Sequence, residues 1–230
     1  MAGPHVEILP PSQLHQRAAD VIAEAISASV ARAGRCAIAL SGGTSPAETF
    51  RRLAAVEVEW SSVDVFQVDE RDAPDGHPDR NLVLIEGELV GRIGGGRPQL
   101  HPMPVTEHDL DAAARRYQAE LERVCGRPPV LDVVHLGLGL DGHLASLVPD
   151  DPVLNVADRS VAATRTYAGY RRMTLTFPVL EAARKVLFVI AGGEKADALA
   201  RMLAGDPTVP ASRLIARDIV VLTDAEVSRS

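Results

Sequence analysis

The sequence predicts a single α/β domain whose largely parallel β-sheet is covered by helices on both faces. Short β-branched runs alternate with Ala-rich segments of helical periodicity along almost the whole chain. Strands that alternate with helices form parallel sheets, because a parallel neighbour requires a long crossover connection. The 230 residues are 46% hydrophobic, which is enough for one sizeable core. No repeat or long linker divides the chain, so residues 1–230 are expected to form one domain.

Strands are predicted where short apolar, β-branched runs are bounded by polar or glycine-containing segments. They are His5–Leu9, Cys36–Leu40, Val63–Val68, an extended piece near Leu100, Leu131–Leu136, Arg159–Thr164, Met173–Thr176, Val186–Ala191 and Ile219–Thr223. Two of them, at 159–164 and 173–176, are expected to be short and peripheral.

Helices are predicted where apolar residues recur at helical spacing, as Ala18, Ile22 and Ile26 do in the first of them. They are Leu14–Arg32, Pro46–Ala54, Leu82–Val90, Glu107–Val124, Pro178–Ala183, Glu194–Leu203 and Ala211–Ala216.

Composition excludes several classes of function. The net charge is −7 with both signs interspersed, so no basic stripe suggests a nucleic-acid partner. Cys36 and Cys125 lack the spacing of a metal site and are expected to be small buried hydrophobes. No signal peptide and no apolar run near the ~18 residues of a membrane span is present. We expect a cytoplasmic protein without a membrane partner.

The stretch LSGGTSPAET directly follows a predicted strand. Gly42 and Gly43 allow a turn that exposes consecutive N–H groups, and Thr44 and Ser45 add hydroxyl donors. Ser45 and Glu48 have the spacing of a capping box, which predicts that a helix begins here. A helix N-terminus beside such a turn can bind an anion. The alternative is a plain strand-to-helix turn with a good cap.

A second polar stretch, FQVDERDAPDGHPDRN, follows the predicted strand Val63–Val68. Asp69 and Arg71 would lie at the carboxyl end of that strand, followed by a long polar loop. Such loops are often functional, although a solvated surface turn is the alternative. His77 is expected to be a loop residue rather than a base.

A third stretch, VVHLGLGLDGHLASLVP, contains the spacing GxGxxG after a strand. Pro149 and Pro152 leave room for only about two helical turns after Gly142, too few for a dinucleotide-binding unit. What remains is a tight turn that places Asp141 two residues from His143. A carboxylate there can fix the imidazole tautomer, which favours a general base over a structural histidine. His135, inside the strand, is expected to pack in the core or at a strand edge.

Cations accompany two further turns. Arg171 and Arg172 precede a short strand, and Lys195 follows Gly192 and Gly193 at a strand-to-helix turn. Each alone would be a surface charge by default. Together with the Gly42–Gly43 turn they could enclose one phosphate monoester.

In this order, the four features resemble the 6-phosphogluconolactonase family, whose relatives include the glucosamine-6-phosphate isomerases. The matching segments are SGGTS at 41–45, DER at 69–71, HPDRN at 77–81, GLGLDGHLASLVP at 137–149, RMTLTFPVL at 172–180 and GGEK at 192–195. Two departures are Arg80, where Ser is frequent, and Val148, where Phe is common. We expect the first to be a surface change and the second to alter only packing.

The resemblance implies a three-layer, Rossmann-like α/β fold that needs no metal or organic cofactor. It implies hydrolysis of 6-phospho-D-glucono-1,5-lactone, a small-molecule substrate, in the second step of the oxidative pentose phosphate pathway. His143 would be the catalytic histidine. Gly43, Thr44, Arg172 and Lys195 would surround the 6-phosphate, and Asp69, Arg71 and Asp141 would line the sugar end. Oligomeric state stays open between a monomer and a small homo-oligomer.

The residue types suit this chemistry, because a lactone is an activated ester that water and a good base can cleave. Whether His143 or Asp69 holds the water stays open, as does the oxyanion donor, a backbone N–H of the glycine turn or Arg71. The nearest rival is the isomerase branch, in which an NEP segment follows the DGH motif. Here the corresponding residues 146–149 contain no carboxylate. A non-enzymatic sugar-phosphate sensor is a third possibility, although no attached DNA-binding domain is expected before the strand at His5.

Overall fold

The structure, a computed structural model, describes residues 3–43 and 45–225. Its strands are β1 (His5–Ile8), β2 (Cys36–Leu40), β3 (Val63–Gln67), β4 (Asp69–Arg71), β5 (Gln99–His101), β6 (Val133–Leu136), β7 (Val161–Ala163), β8 (Arg172–Leu175), β9 (Lys185–Ile190) and β10 (Ile219–Thr223). Its α-helices are α1 (Pro11–Ala33), α2 (Pro46–Ala54), α3 (Asn81–Glu88), α4 (Leu110–Cys125), α5 (Phe177–Ala182) and α6 (Ala196–Leu203).

A seven-stranded, wholly parallel sheet in the order β1-β10-β9-β6-β2-β3-β5 forms the centre of the molecule. From β2 the chain adds strands in one direction, and from β6 it adds them in the other. The switch point therefore lies between the neighbouring strands β2 and β6. Ligands of open parallel sheets bind beyond the carboxyl ends of the strands at such a point.

Side chains alternate between the two faces of the sheet and so build two cores. In β2, Cys36, Ile38 and Leu40 pack with α1, α2 and α3, whereas Ala37 and Ala39 pack with α4, α5 and α6. The first helix shows the same logic, since its predicted apolar stripe is buried against the sheet. The prediction of a parallel sheet with helices on both faces is confirmed.

A second sheet of three antiparallel strands, β4-β8-β7, lies beside the first. The predicted peripheral strands are its β7 and β8. Residues 69–71, predicted as the start of a loop, instead form β4, with Asp69 opposite Thr174 and Arg71 opposite Arg172. Three residues are too few to show a period, so this strand exists only through its pairing with β8.

Other differences concern element ends. Helix α4 begins at Leu110 rather than Glu107, because the Asp109 carboxylate accepts from the N–H of Ala112 and caps it. The predicted helix at 211–216 is only a 3₁₀ turn, Pro210–Arg213. Residues 143–149 form no helix; Leu144 and Leu147 pair across a tight turn.

Both cysteines are free, Cys36 buried and Cys125 partly buried. Burial raises the pKa of each thiol to about 12, as expected for structural rather than reactive cysteines. No helix in 3–43 or 45–225 has the length and apolar character needed to cross a membrane.

Candidate active site

A cleft lies at the carboxyl ends of β2 and β6, where the two glycine turns predicted from the sequence follow adjacent strands. Its volume is about 200 Å³, below the ~300–1,000 Å³ of typical ligand pockets, so it suits a small ligand. The predicted site residues that line it are Gly42, Gly43, Ser45, Asp69, Arg71, His143, Arg172 and Lys195. Asp141 lies behind His143 and lines a neighbouring pocket, and Thr44 lies outside the described residues.

Asp141 and His143 form a closely hydrogen-bonded pair. The Asp141 Oδ1 atom lies 2.6 Å from His143 Nδ1 and also accepts the backbone N–H of His143 at 3.2 Å. Burial raises the pKa of Asp141, but the hydrogen bonds from His143 and Tyr167 outweigh it and bring this pKa to about 2. An ionised carboxylate at Nδ1 fixes the proton on that nitrogen, which leaves Nε2 as the basic atom of the imidazole.

The glycine turn brings this pair together. Gly139 donates its N–H to the carbonyl of His143 at 2.9 Å, and Gly142 donates to the carbonyl of Gly139 at 3.0 Å. Gly142 has φ +80°, and a Cβ there would lie 2.4 Å from the side chain of Val209. Glycine is therefore needed for both backbone conformation and space.

A Gly139→Ala substitution is expected to lower kcat about tenfold by displacing the histidine. A Cβ at Gly139 would lie 2.1 Å from His143 Nδ1 and 2.7 Å from Asp141 Oδ1, so the pair must separate. Gly87→Ala is the control, because a Cβ at Gly87 would meet nothing within 4 Å and Gly87 does not line the cleft. Steady-state kinetics of both variants decide the point. Equal kcat values for the two would show that the spacing of the pair does not limit turnover.

Tyr167 contacts both members of the Asp141–His143 pair, and it was not predicted from the sequence. Its hydroxyl donates to Asp141 Oδ2 at 3.0 Å, and its ring packs edge-on against His143 with centroids 5.5 Å apart. The residue lies in the hairpin between β7 and β8, where Tyr167 and Tyr170 pair across Ala168 and Gly169. A tyrosine in a loop carries no sequence signal of this contact.

We expect Tyr167→Phe to lower kcat a few-fold, with little change in KM. The variant keeps the ring that packs on His143 but removes one of the two side-chain hydrogen bonds that hold Asp141, which is a loss of about 1 kcal/mol. Tyr170→Phe is the control, because that hydroxyl donates to Asp79 on a loop instead. A kcat unchanged in Tyr167→Phe would mean that His143 alone suffices to hold Asp141.

Asp69 is buried, and both of its carboxylate oxygens accept hydrogen bonds. Its Oδ2 accepts from the Ser146 hydroxyl at 2.5 Å, and its Oδ1 accepts from the Asn81 amide at 3.0 Å. Ser146 in turn accepts from Arg172 at 3.4 Å. Burial raises the pKa of Asp69, whereas Ser146 and Arg172 oppose the shift. Each carboxylate oxygen accepts one hydrogen bond, so Asp69 holds Ser146 and attracts Arg172. Its role as a base stays a prediction.

The Gly42–Gly43 turn and the start of α2 form one wall of the cleft. Gly43 has φ +101°, a conformation that favours glycine. The predicted capping box is wrong: the Ser45 hydroxyl caps nothing, and Glu48 instead pairs with Arg51 at 2.9 Å and Arg52 at 2.8 Å. Neither side chain of the expected box thus occupies the helix N-terminus, which faces the cleft.

Two cations approach the same cleft from other elements. Arg172 opens β8 and is only 6% exposed, with its guanidinium 5.2 Å above the centroid of the Tyr167 ring. Burial lowers its pKa, and the nearby Asp69 raises it. Lys195 ends the 3₁₀ turn that follows β9. Both line the same cleft as the Gly42–Gly43 turn.

Arg71 and Arg80 belong to the segment on the far side of Asp69. Arg71 lines the cleft and donates to Asn81 Oδ1 at 3.4 Å. Arg80, expected on the surface, is only 3% exposed and pairs with the fully buried Glu70 at 3.1 Å. That expectation is wrong because Glu70 accepts from the backbone at the start of α3, and a buried carboxylate needs a cation nearby.

Fold and cleft together define an α/β protein with a carboxylate–histidine pair beside a glycine turn and two cations. The family described as glucosamine-6-phosphate isomerases/6-phosphogluconolactonase matches residues 10–222. The chain belongs to this family.

Within the family, similarity points to one branch. The 6-phosphogluconolactonase of Mycobacterium tuberculosis is 36% identical over 226 residues, covering 92% of each chain. That of Nostoc sp. is 35% identical over 204 residues, covering 86% of this chain and 85% of the relative. The crystal structure of 6-phosphogluconolactonase from Leishmania guyanensis is similar with a TM-score of 0.83 at 26% identity, covering 96% of each chain.

Proposed function

We propose that this protein hydrolyses 6-phospho-D-glucono-1,5-lactone to 6-phospho-D-gluconate, the second step of the oxidative pentose phosphate pathway. The observation that carries the proposal is the Asp141–His143 pair, 2.6 Å apart, at the edge of a cleft that Arg172 and Lys195 also line. A base beside a cationic, glycine-walled cleft suits hydrolysis of a phosphorylated ester. The relatives named 6-phosphogluconolactonase support this reaction.

In the proposed mechanism, His143 Nε2 takes a proton from water while the water oxygen bonds to C1 of the lactone. The carbonyl electrons move to oxygen and form a tetrahedral oxyanion. As that oxyanion collapses, the bond from C1 to the ring oxygen breaks and the protonated His143 returns its proton to the leaving oxygen. Asp141 holds the imidazole throughout, and general acid–base help of this kind is worth about 10²- to 10⁴-fold.

Arg71 is the proposed oxyanion donor. The N–H groups of Gly139 and Gly142 are already used inside the glycine turn, which weakens the case for them. Arg71 lines the cleft, and its guanidinium has five N–H donors, more than its contacts to Asp79 and Asn81 consume. A cation aimed at the developing charge stabilises the transition state more than the ground state.

The 6-phosphate is proposed to lie against the Gly42–Gly43 turn, with Thr44 and Ser45 as hydroxyl donors. Arg172 and Lys195 would supply two positive charges to the dianion. Because Arg172 is buried and held by its neighbours, it can grip the phosphate with little loss of side-chain freedom.

The isomerase alternative is less well supported. It would require Asp69, whose carboxylate is held by hydrogen bonds from Ser146 and Asn81, to reach C2 of a sugar as a base. The segment 146–149 also lacks a carboxylate for ring opening. A binding-only sensor would have no use for the Asp141–His143 pair.

We also propose that residues 1–230 act as one cytoplasmic domain, a monomer or small homo-oligomer, with neither a nucleic-acid nor a membrane partner. The net charge of −7 supports the absence of a nucleic-acid partner. The proposed mechanism requires neither a metal nor an organic cofactor. In residues 3–43 and 45–225, no group of three or more His, Cys, Asp or Glu side chains is arranged to hold a metal ion.

The test is hydrolysis of freshly generated 6-phosphogluconolactone, followed by pH-stat or by coupling to a dehydrogenase. We expect turnover well above the spontaneous rate, and no ammonia release from glucosamine 6-phosphate. A rate equal to the spontaneous one would overturn the proposal. Ammonia release would support the isomerase hypothesis instead.

A further inference from the structure

Buried polar atoms without hydrogen-bond partners are concentrated at the cleft. In the part of the chain that the structure describes, four such side-chain atoms belong to residues that line the cleft. These four are Ser45 Oγ, Arg172 Nε and both ring nitrogens of His135. The other three are Arg52 Nε, Trp60 Nε1 and Arg80 Nε, and the last of these lies 3.1 Å from the carboxylate of Glu70. Because native proteins rarely leave buried polar groups unpaired, such a concentration points to a ligand that supplies the missing partners.

His135 is the unexpected member of this group. It lies in β6, is 1% exposed, and packs edge-on against Phe50 of α2 with ring centroids 5.6 Å apart. To that extent the prediction of a core histidine is confirmed. Yet the ring also forms part of the cleft wall, together with Ser45 and Pro46 at the start of α2 and Lys195 beyond β9.

The chemistry of the ring limits what it can bind there. Burial, and secondarily His15, lower the pKa of His135 to about 4, so at neutral pH the imidazole is uncharged. A neutral imidazole has one N–H donor and one acceptor nitrogen. It therefore offers an anion one directional hydrogen bond without adding a charge to the site.

We propose that His135 is an additional phosphate-binding residue, whose ring N–H donates to an oxygen of the anion held between the Gly42–Gly43 turn, Arg172 and Lys195. Ser45 Oγ donates to the same anion. A tetrahedral phosphate carries several acceptor oxygens, so it can satisfy the histidine and the serine together with the two cations. The inference rests on the phosphate end of the proposed function, and it adds His135 to it.

The experiment measures binding of inorganic phosphate to the full-length protein by NMR titration. In wild type, the ring signals of His135, assigned from their loss in His135→Leu, are expected to move with the same Kd as the protein as a whole. His135→Leu is expected to weaken phosphate binding about fivefold to tenfold, the loss of one hydrogen bond to an anion. His135→Asn, which restores an N–H donor, is expected to recover part of the affinity.

Val133→Ala is the matched control for loosened packing. Val133 lies on the same face of β6, is fully buried, and does not line the cleft. If folded His135→Leu binds phosphate as tightly as wild type, the proposal is wrong. It is equally wrong if the ring signals of His135 in wild type stay fixed at saturating phosphate, a measurement that does not depend on the variant folding, or if wild type binds no phosphate.

Failure of the proposed function would look different. A protein that binds phosphate through His135 but does not accelerate lactone hydrolysis would keep this inference and lose the lactonase proposal. A protein that hydrolyses the lactone, and whose phosphate affinity is unchanged in His135→Leu, would keep the lactonase proposal and lose this inference.

Discussion

Replacing His143 with asparagine is expected to lower kcat for lactone hydrolysis by about 10²- to 10³-fold, with KM nearly unchanged. Asparagine can still donate a hydrogen bond to Asp141, so the local structure has a reason to persist. Its amide cannot accept a proton from water at neutral pH, however. The loss would thus fall on the chemical step and spare binding at the phosphate end of the cleft, which His143 does not form.

The measurement is kcat and KM for wild type and His143→Asn side by side, corrected for spontaneous hydrolysis. His77→Asn is the matched control, because His77 lies on a loop with its side chain about one-third exposed. Phosphate affinity, measured separately, should be equal in all three proteins. A His143→Asn enzyme with wild-type turnover would remove His143 from the mechanism and return attention to Asp69.

The cleft was largely predictable because its parts follow strands directly. The SGGTS turn follows β2 and the GLGLDGH turn follows β6, and parallel strands present their carboxyl ends at one edge of a sheet. Motifs distant in sequence therefore had to converge once the strands were located. The pairing of Asp141 with His143 could be predicted without locating any strand, because two residues in one tight turn lie close together.

What the sequence did not predict arises from contacts between distant segments. Ser146 meets Asp69 across 77 residues, and Tyr167 meets Asp141 across 26. Neither contact is visible as a periodic pattern in the sequence, because each depends on how the small antiparallel sheet packs beside the large one. Arg80 shows the same limit, since its burial against Glu70 depends on where the loop after β4 folds back.

Arg172→Leu is expected to raise KM for the lactone about 10- to 100-fold, because a hydrogen bond to a charged group contributes about 1.5–3 kcal/mol. The kcat value should change less, since the guanidinium contacts Ser146 and Tyr167 but not His143. Lys195→Met serves as the comparison, because this cation lines the same cleft. An unchanged KM in Arg172→Leu would place the phosphate elsewhere.

The same substitution is expected to make stability depend on pH through Asp69. Burial already raises the pKa of Asp69 in the folded protein, and loss of Arg172 removes one of the influences that oppose the rise. A carboxyl whose folded pKa lies above its unfolded value binds more protons when folded. Between those two values the free energy of unfolding therefore falls as pH rises, and above them the loss is complete.

Arg172→Leu should consequently be destabilised by about 2 kcal/mol or more near pH 8. The loss should be much smaller near pH 4, because that pH is close to the ordinary aspartate pKa of 3.8 and little of the pH-dependent change has yet occurred. Urea unfolding of wild type and variant at the two pH values measures this difference. The double variant Arg172→Leu/Asp69→Asn removes the titrating group and should lose the pH-dependent part while keeping the packing defect. If the single variant is equally destabilised at both pH values, Arg172 stabilises the fold by packing alone. The ionised form of Asp69 would then not require the guanidinium.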